Sequence, residues 1–215
     1  MIPGVPALPR PALRALAAGS LAGVVLGVAG RMTDHVGGVL HWAGALGGPW
    51  LLGAFVAGAL TGGRREGAVA GALAVVSGTA IYYAIFHWVE GSVGLFYAVA
   101  AGVGWSLAGA VVGGLFGFAG GLAREGGTAR AVAGGILAGG LVAESVLLWS
   151  LWDGGAARRA VIVQLTVAAL LGVALAGRAR LAPLTASVAL AAGGVLWLGE
   201  LTVRELLRTS GWAGA

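Results

Sequence analysis

The chain has 215 residues, of which 59% are hydrophobic and only 10% are charged, while glycine alone supplies 42. This composition leaves too little polar surface to cover a water-soluble globule, so it excludes a soluble domain and indicates an integral membrane protein. The absence of cysteine excludes disulfides, thiolate metal sites and cysteine nucleophiles. The net charge of +5 is spread over many loops, without the clustered basic stripe of a nucleic-acid-binding protein.

Seven apolar segments follow one another along the chain. Their long, unbroken apolar character predicts membrane-spanning helices rather than the alternating strands of a barrel. We therefore expect an all-α polytopic transmembrane helix bundle, a single integral membrane domain over residues 1–215. It has about seven spans, or six if the weak second segment does not cross. The predicted spans are 12–30, 47–63, 67–89, 95–121, 129–151, 160–177 and 183–203.

Residues 31–48 separate the first two spans. This segment begins with Arg31, contains Asp34, His35 and His41, and is too polar at its start to cross a membrane. It is predicted to form an interfacial loop or a short surface helix.

Arginine counts predict the orientation of the bundle. If the N-terminus is inside, the inner segments hold eight arginines and the outer segments five, and cytoplasmic loops are enriched in positive residues. We expect a bacterial cytoplasmic membrane protein with its N-terminus inside and its C-terminus outside. The eight predicted inner arginines are Arg10, Arg14, Arg64, Arg65, Arg124, Arg130, Arg178 and Arg180.

Glycines recur at four-residue spacing in two spans, and such stripes allow a second helix backbone to approach closely. Internal packing of the bundle is one interpretation of these stripes, and docking of a partner membrane subunit is the other. Shorter versions occur in two further spans, at Gly58 and Gly62 and at Gly135 and Gly139, and because so many spans carry the pattern, internal packing is favoured. The stripes are Gly19, Gly23 and Gly27 in the first span, and Gly109, Gly113, Gly117 and Gly121 in the fourth.

Polar side chains within the spans lie toward the predicted outer side. The third span ends with Thr79, Tyr83, His87 and Glu90 along one helical face. Glu144 lies about two turns inside its span and has no basic partner on the same helix. A charged residue at mid-membrane costs about 2.5–3.5 kcal/mol on insertion scales, so it normally faces a bundle interior, a wet cavity or a cation.

The simplest joint interpretation is a cavity that opens to the outer side. Alternatives remain for two of its carboxyl groups, because Glu90 lies near headgroup water and Glu200 is spaced for an ion pair with Arg204. Tryptophans near the outer side are either walls of the cavity or interfacial anchors. The predicted lining residues are Glu144, Glu90, Tyr83, His87, Gln164, Glu200, Trp149, Trp152 and Trp197.

The sequence lacks the motifs of metal-binding proteins, metalloproteases and nucleotide-binding ATPases. There is no histidine pair at i and i+4, no HExxH and no phosphate-binding GxxxxGK[ST]. We therefore expect no metal site and no cofactor. Binding or uptake of a small molecule or cation is the leading hypothesis. The alternatives are a membrane-embedded acid–base enzyme of isomerase or cyclase type, with catalysis by Glu144, Glu90 or Glu200, and a structural or assembly protein.

Three sequence features carry a resemblance to known proteins. They are the run HWAGALGGPWLLGAFVAGAL from His41 to Leu60, the pair Tyr82 and Tyr83, and the step from Ala143 to Glu144. Together they resemble a family of small bacterial multipass proteins with an uncharacterised domain, which implies a shared fold and no activity.

A more distant likeness is to the S components of energy-coupling-factor transporters. That likeness implies six spans, both termini inside, a pocket open to the outside and partner contacts through Ala18 and Ala22 with Gly19 and Gly23.

Overall fold

The computed structural model describes residues 9–36, 38–41, 47–152 and 154–209, and in this part of the chain there is no strand. The predicted all-α helical bundle is confirmed. A π-helical turn, Ile85–Val89, continues the third helix, and a 3-10 turn, Ala179–Leu181, precedes the last. The long helices are α1 (Arg10–Asp34), α2 (Gly47–Ala59), α3 (Arg64–Ala84), α4 (Leu95–Ala123), α5 (Gly127–Leu151), α6 (Gly155–Ala176) and α7 (Ala182–Thr209).

The helices α1 and α3 run side by side in the same direction. A Cβ atom at Gly19 would lie 2.7 Å from the carbonyl oxygen of Ala70, and one at Gly27 would lie 2.5 Å from that of Gly78. The contacts thus advance together along both helices, at a separation that only glycine permits. Because α1 and α3 are parallel, α2 has to return the chain from the end of α1 to the start of α3.

The helices α5 and α7 form a second parallel pair. Gly135 packs against the backbone of Thr185, and Gly139 packs against that of Ala189, again with contacts that advance along both helices. The intervening helix α6 is antiparallel to α5, because a Cβ at Gly134 would meet Leu175 near one end while Gln164 meets α5 near the other. The chain therefore contains two three-helix units, α1–α3 and α5–α7, with the same order of directions, and α4 joins them.

The bundle has two chemically different ends. We call the end at which α1, α3, α5 and α7 begin the basic end, because the eight arginines predicted as inner lie there. The other end, at which these four helices finish, is the aromatic end, and Trp88, Trp149 and Trp152 lie there. The clustered arginines and these tryptophans thus lie at opposite ends of the bundle.

Helix α2 is shorter than the other long helices. Its 13 residues span about 20 Å, which is less than the roughly 30 Å of hydrocarbon in a bilayer. It begins beside Glu144, about two turns before the aromatic end of α5, and it finishes at the basic end. The other six helices are long and apolar enough to cross a membrane. The described part of the weak second span is therefore a half-length helix, and its first residue, Gly47, lies beside Glu144 inside the bundle.

The remaining helix bounds differ from the predicted spans by a few residues. The largest differences are at the end of α7, which continues to Thr209 instead of residue 203, and at the start of α6, which begins at Gly155 instead of residue 160. Helix α1 continues to Asp34 and includes the first residues of the predicted interfacial loop. Within that loop, residues 37 and 42–46 lie outside the described residues. Helix α2 ends at Ala59, and the hydroxyl of Thr61 then donates to the carbonyl oxygen of Gly58 at 2.7 Å.

The glycine stripes of the prediction are filled by helices of the same chain. Those of α1 pack on α3, and those of α4 pack on the other side of α3, where Gly121 lies against the backbone of Gly63 and Arg64. Close backbone contact of this kind is how helices associate in membranes, where lipid is as apolar as leucine. Internal packing is thus the use of the stripes in this structure, and neither groove is open to a partner subunit.

A compact apolar core lies where α2, α4 and α5 meet. Phe116, Leu137 and Leu141 are among its fully buried side chains. By contrast, much of α4 and α7 presents apolar side chains outward, for example Val111 and Leu190. Such a largely apolar outer surface is suited to lipid contact.

Candidate functional site

Glu144 lies at the N-terminus of α2, where three helices meet. Its carboxylate accepts a hydrogen bond from the backbone N–H of Gly47, and the N–H of Gly48 also faces it. From α6, the side-chain amide of Gln164 donates to Glu144 Oε2 at 2.8 Å and to the carbonyl oxygen of Leu141 at 3.0 Å. We call Glu144, Gln164, Gly47 and Gly48 the Glu144 cluster.

The local sequence explains why α2 begins at this point. The run from Gly47 to Pro49 places two residues without side chains next to the carboxylate, and a Cβ at Gly48 would lie 3.0 Å from Glu144 Oε2. Proline is well tolerated in the first turn of a helix, where its missing N–H leaves no bond unmade. The first N–H groups of any helix need external acceptors, and Glu144 supplies one from a different helix.

No basic side chain contacts the Glu144 carboxylate among the residues that the structure describes. Its donors are two backbone N–H groups and one neutral amide, and Gln164 itself is buried. These hydrogen bonds satisfy the oxygen atoms, but they do not balance a negative charge. The cluster is therefore a place where a carboxyl group inside the bundle either takes up a proton or attracts a cation.

Glu200 of α7 is close enough to Glu144 to interact with it electrostatically. Its side chain is half-buried and has interactions of its own. The predicted ion pair with Arg204 lies outside the described residues, because the Arg204 side chain is not among them. The α5–α7 unit thus brings Glu144, Gln164 and Glu200 to one level of the bundle.

The three predicted tryptophans are partly exposed on the outside of the bundle. Trp149 is 58% exposed, and the guanidinium of Arg158 lies 5.6 Å from the centroid of its ring. Trp152 and Trp197 are 43% and 37% exposed. These positions fit interfacial anchors, whose rings lie at the level of lipid headgroups.

Glu90 belongs to a different cluster. Arg31 of α1 donates from Nε to Glu90 Oε1 at 2.7 Å and also from its terminal nitrogen to Glu90 Oε2. The same guanidinium donates to Asp34 Oδ2 at 2.8 Å, and the hydroxyl of Tyr82 donates to that oxygen as well. The ring of Phe86 lies 3.9 Å from the guanidinium carbon. We call these five residues the Arg31 cluster.

Arg31 is only 8% exposed, which is unusual for arginine. It is accommodated because two carboxylates and an aromatic face surround it. The hydrogen bond from Arg31 is the main cause that lowers the pKa of Glu90 from 4.5 to about 2, and His35, with Nε2 at 3.1 Å from Glu90 Oε1, adds to it. Glu90 is thus a paired carboxylate and not an open ligand.

A π-helical turn brings Glu90 to Arg31. The turn Ile85–Val89 widens the end of α3, and the backbone N–H of Glu90 donates to the carbonyl of Ile85. Turns of this kind are often found at functional sites. They change the direction of the side chains that follow, so that Glu90 points toward α1.

The two other predicted residues of this face have local roles. Tyr83 packs against the rings of Tyr82, Phe86 and Tyr97. His87 Nδ1 lies 2.8 Å from the carbonyl oxygen of Val93, so this nitrogen carries the proton and donates it. Among the described contacts, neither residue touches the Glu144 cluster.

The sequence had given no site role to Arg31, Asp34, His35 or Tyr82. Arg31 and Asp34 stood in the predicted interfacial loop, and Arg31 served only as an orientation signal. Their spacing of three residues on what proves to be a helix was the available signal for a shared face. In the described residues, no group of three or more His, Asp or Glu side chains is placed to hold a metal ion.

A small groove lies between α1 and the start of α2. Its volume is about 130 Å³, and its lining is almost entirely apolar, with Leu26, Gly30, Pro49 and Trp50 among the lining residues. The carboxylate of Glu144 does not line it. The groove is therefore distinct from the predicted acidic cavity.

The fold and the apolar outer surface define a multipass helical membrane protein. Residues 6–204 match the model of the family of unknown function DUF6518, and the chain belongs to that family. The expected kinship with an uncharacterised multipass family is thereby confirmed. No curated protein and no solved structure matches the chain, and nothing supports the likeness to the S components of energy-coupling-factor transporters.

Proposed function

We propose that this protein binds a small molecule or a cation at the Glu144 cluster and mediates its uptake across the membrane. The observation that carries the proposal is the Glu144 carboxylate, which three helices enclose and which no described basic side chain neutralises. A charge in such a place is costly, so it is usually retained for a ligand, an ion or a proton. A cation or the cationic group of a small molecule is the favoured ligand class.

The position of the cluster in the fold supports transport. Gly47 and Gly48 belong to the α1–α3 unit, whereas Glu144 and Gln164 belong to the α5–α7 unit, so the cluster lies at the junction of the two units. Many secondary transporters bind their substrates between two repeated units, near the middle of the membrane, where a helix is interrupted. The start of the short helix α2 lies at such a junction, with the N–H groups of Gly47 and Gly48 directed at the Glu144 carboxylate.

The two ends of the bundle support the proposed orientation. The basic end carries eight arginines and two glutamates, Glu66 and Glu125, a net charge of +6. The net charge of the whole chain is +5, so the net charge of all residues outside the basic end is −1. Because positive loops are retained on the cytoplasmic side, we propose that the basic end faces the cytoplasm of a bacterium. The Glu144 cluster then lies in the outer half.

Two observations favour other functions. Glu200 lies within electrostatic reach of Glu144, and a pair of carboxyl groups suits a membrane-embedded acid–base enzyme. The hydrogen bond from Gly47 to Glu144, in turn, suits a purely structural role in which the carboxylate caps α2. Both alternatives predict that no cation binds at Glu144.

The test compares Glu144→Gln with wild type by native mass spectrometry of protein purified in the same detergent. Glutamine keeps a carbonyl oxygen for the Gly47 N–H and removes the charge, so the fold is retained if Gln164 turns its amide. The matched control is Glu125→Gln, which removes a carboxylate from an exposed pair with Arg64 at the other end. We expect a co-purified ligand on wild type and on the control, and its loss from Glu144→Gln.

A second measurement covers ligands that are lost during purification. Thermal unfolding is followed with sodium, potassium, magnesium and tetramethylammonium chloride at matched ionic strength. We expect one cation to raise the melting temperature of wild type and of Glu125→Gln, but not that of Glu144→Gln. An adduct or a thermal shift that survives in Glu144→Gln contradicts the proposal, and so does the absence of both in wild type.

A further inference from the structure

The arginines of the basic end form a surface whose parts come from distant segments. The parallel packing of α1 and α3 pairs Gly19 with Ala70, an offset that places Arg14 at the level of Arg65. Arg10 lies one turn further out on α1. Arginines that are 51 residues apart in the chain therefore lie at the same level at one end of the bundle.

Some arginines of this end are already engaged. Arg64 pairs with Glu125 at 2.5 Å, which lowers the pKa of that carboxyl group. Arg124 donates to the carbonyl oxygen of Ala59 at 3.0 Å, and Arg130 donates to that of Ala174 at 3.3 Å. The remaining acid, Glu66, lies back over Gly63 at the start of α3.

Five arginines of the basic end have exposed side chains, and these side chains make no hydrogen bond or ion pair within the described part of the chain. We call them the free arginines, and they are Arg10, Arg14, Arg65, Arg178 and Arg180.

Two of the free arginines lie below apolar side chains that face outward. Val69, one turn above Arg65 on the same face of α3, is 50% exposed. Leu21, two turns above Arg14 on the same face of α1, is 68% exposed. Outward apolar side chains in a membrane protein contact acyl chains, so the phosphates of the same leaflet lie at the level of these arginines.

We propose that the basic end binds anionic phospholipid headgroups through the free arginines, with Arg14 and Arg65 at the centre of the surface. Guanidinium groups bind phosphate oxygens with two parallel N–H donors, and basic residues near a membrane surface attract anionic lipids. The continuity of the arginines with the lipid-facing sides of α1 and α3 identifies the partner as lipid and not as a soluble protein. This proposal does not depend on the function of the Glu144 cluster.

The test uses the full-length protein reconstituted in nanodiscs that contain equal amounts of phosphatidylglycerol and phosphatidylcholine. The lipids that remain bound after transfer to detergent are counted by native mass spectrometry. We expect wild type to retain phosphatidylglycerol in preference to phosphatidylcholine. The double variant Arg14→Gln/Arg65→Gln is expected to bind phosphatidylglycerol about 30-fold more weakly, which corresponds to about 1 kcal/mol for each arginine.

The matched control is Arg158→Gln/Arg159→Gln, which removes the same charge from two exposed arginines in the first turn of α6, at the aromatic end. Its preference for phosphatidylglycerol is expected to equal that of wild type. High salt is expected to weaken the preference of wild type, because it screens exposed charges. Equal retention of the two lipids by wild type, or an equal loss in the two double variants, overturns the proposal. Unchanged thermal unfolding of both variants shows that each has kept its fold.

Discussion

Glu90 and Glu144 are both carboxylates near the aromatic end, but their surroundings differ. Glu90 has an arginine partner with two hydrogen bonds, and a second carboxylate, a phenol and an aromatic face complete the shell around that arginine. Glu144 has only neutral donors. The ion pair of Glu90 with Arg31 neutralises both charges and holds α1 against the end of α3. The charge of Glu144 is left unbalanced, which suits the binding of a ligand.

The difference follows from which helices are neighbours. Parallel packing of α1 on α3 brings the ends of both helices to the same level, so Arg31 meets Glu90. Glu144 faces the start of α2, where the available groups are the N–H groups of Gly47 and Gly48. A helix N-terminus carries a partial positive charge of about half an elementary charge, which favours a carboxylate but does not neutralise it.

Replacing Arg31 gives the largest effect that we expect. Arg31→Met leaves the carboxylates of Asp34 and Glu90 without their cation, and their side chains are only 12% and 18% exposed. Breaking a buried ion pair in this way costs about 3–5 kcal/mol. Thermal or denaturant unfolding in detergent, followed by circular dichroism, measures the loss.

The matched control for Arg31→Met is Arg64→Met. It breaks the Arg64–Glu125 pair, whose side chains are 48% and 42% exposed, and exposed pairs contribute only about 0–1 kcal/mol. The double variant Arg31→Met/Glu90→Gln is expected to recover part of the stability, because it removes one of the unpaired charges. Similar losses of stability in Arg31→Met and Arg64→Met would show that the Arg31 cluster stabilises the fold no more than an exposed ion pair does.

Removing the amide of Gln164 has the next largest expected effect. Gln164→Leu replaces the amide with an apolar side chain of similar size at a buried position, so Leu141 and Glu144 each lose a donor. An unsatisfied buried polar group costs about 1–3 kcal/mol, so unfolding should occur at a correspondingly lower temperature.

On the outer face of the same helix, Thr166→Val is the control. It removes a hydroxyl that bonds only its own helix, and we expect the stability to change by about 0.5 kcal/mol or less. If Gln164→Leu and Thr166→Val lose the same stability, the hydrogen bonds of Gln164 in the Glu144 cluster do not stabilise the fold.

The fold was largely predictable because long apolar runs specify helices directly. The runs predicted seven helical segments, of which six are long enough to cross a membrane, and they placed most helix ends within a few residues. The depth at which α2 begins was not predictable, because hydropathy does not distinguish a half-length helix from a weak span. The end of α1 was also missed, since Arg31 and Asp34 look like loop residues until α3 supplies their partners.

The candidate site was predictable only in part. Glu144 and Gln164 lie at a similar predicted depth in the membrane, which led us to expect them close together. In the structure, Gln164 Nε2 lies 2.8 Å from Glu144 Oε2. The same reasoning grouped Glu90 with them, but Glu90 contacts Arg31 instead. Depth along the membrane is a local property of each helix, whereas the neighbour of a side chain depends on helix packing, which no single segment encodes.

The smallest expected effect is a loss of stability in acid that depends on Glu90. The pKa of Glu90 is lowered from 4.5 to about 2 by Arg31, so the folded protein binds this proton more weakly than the unfolded chain does. The stabilisation is therefore complete above about pH 4.5 and is lost as the pH falls toward 2. Melting temperatures measured across this range should fall more steeply for wild type than for Glu90→Gln, which has no carboxyl group to titrate.

Glu125→Gln is the control, because the pKa of Glu125 is lowered by an exposed pair at the other end. Parallel acid curves for wild type and Glu90→Gln would mean that the pair with Arg31 does not hold Glu90 in its charged form.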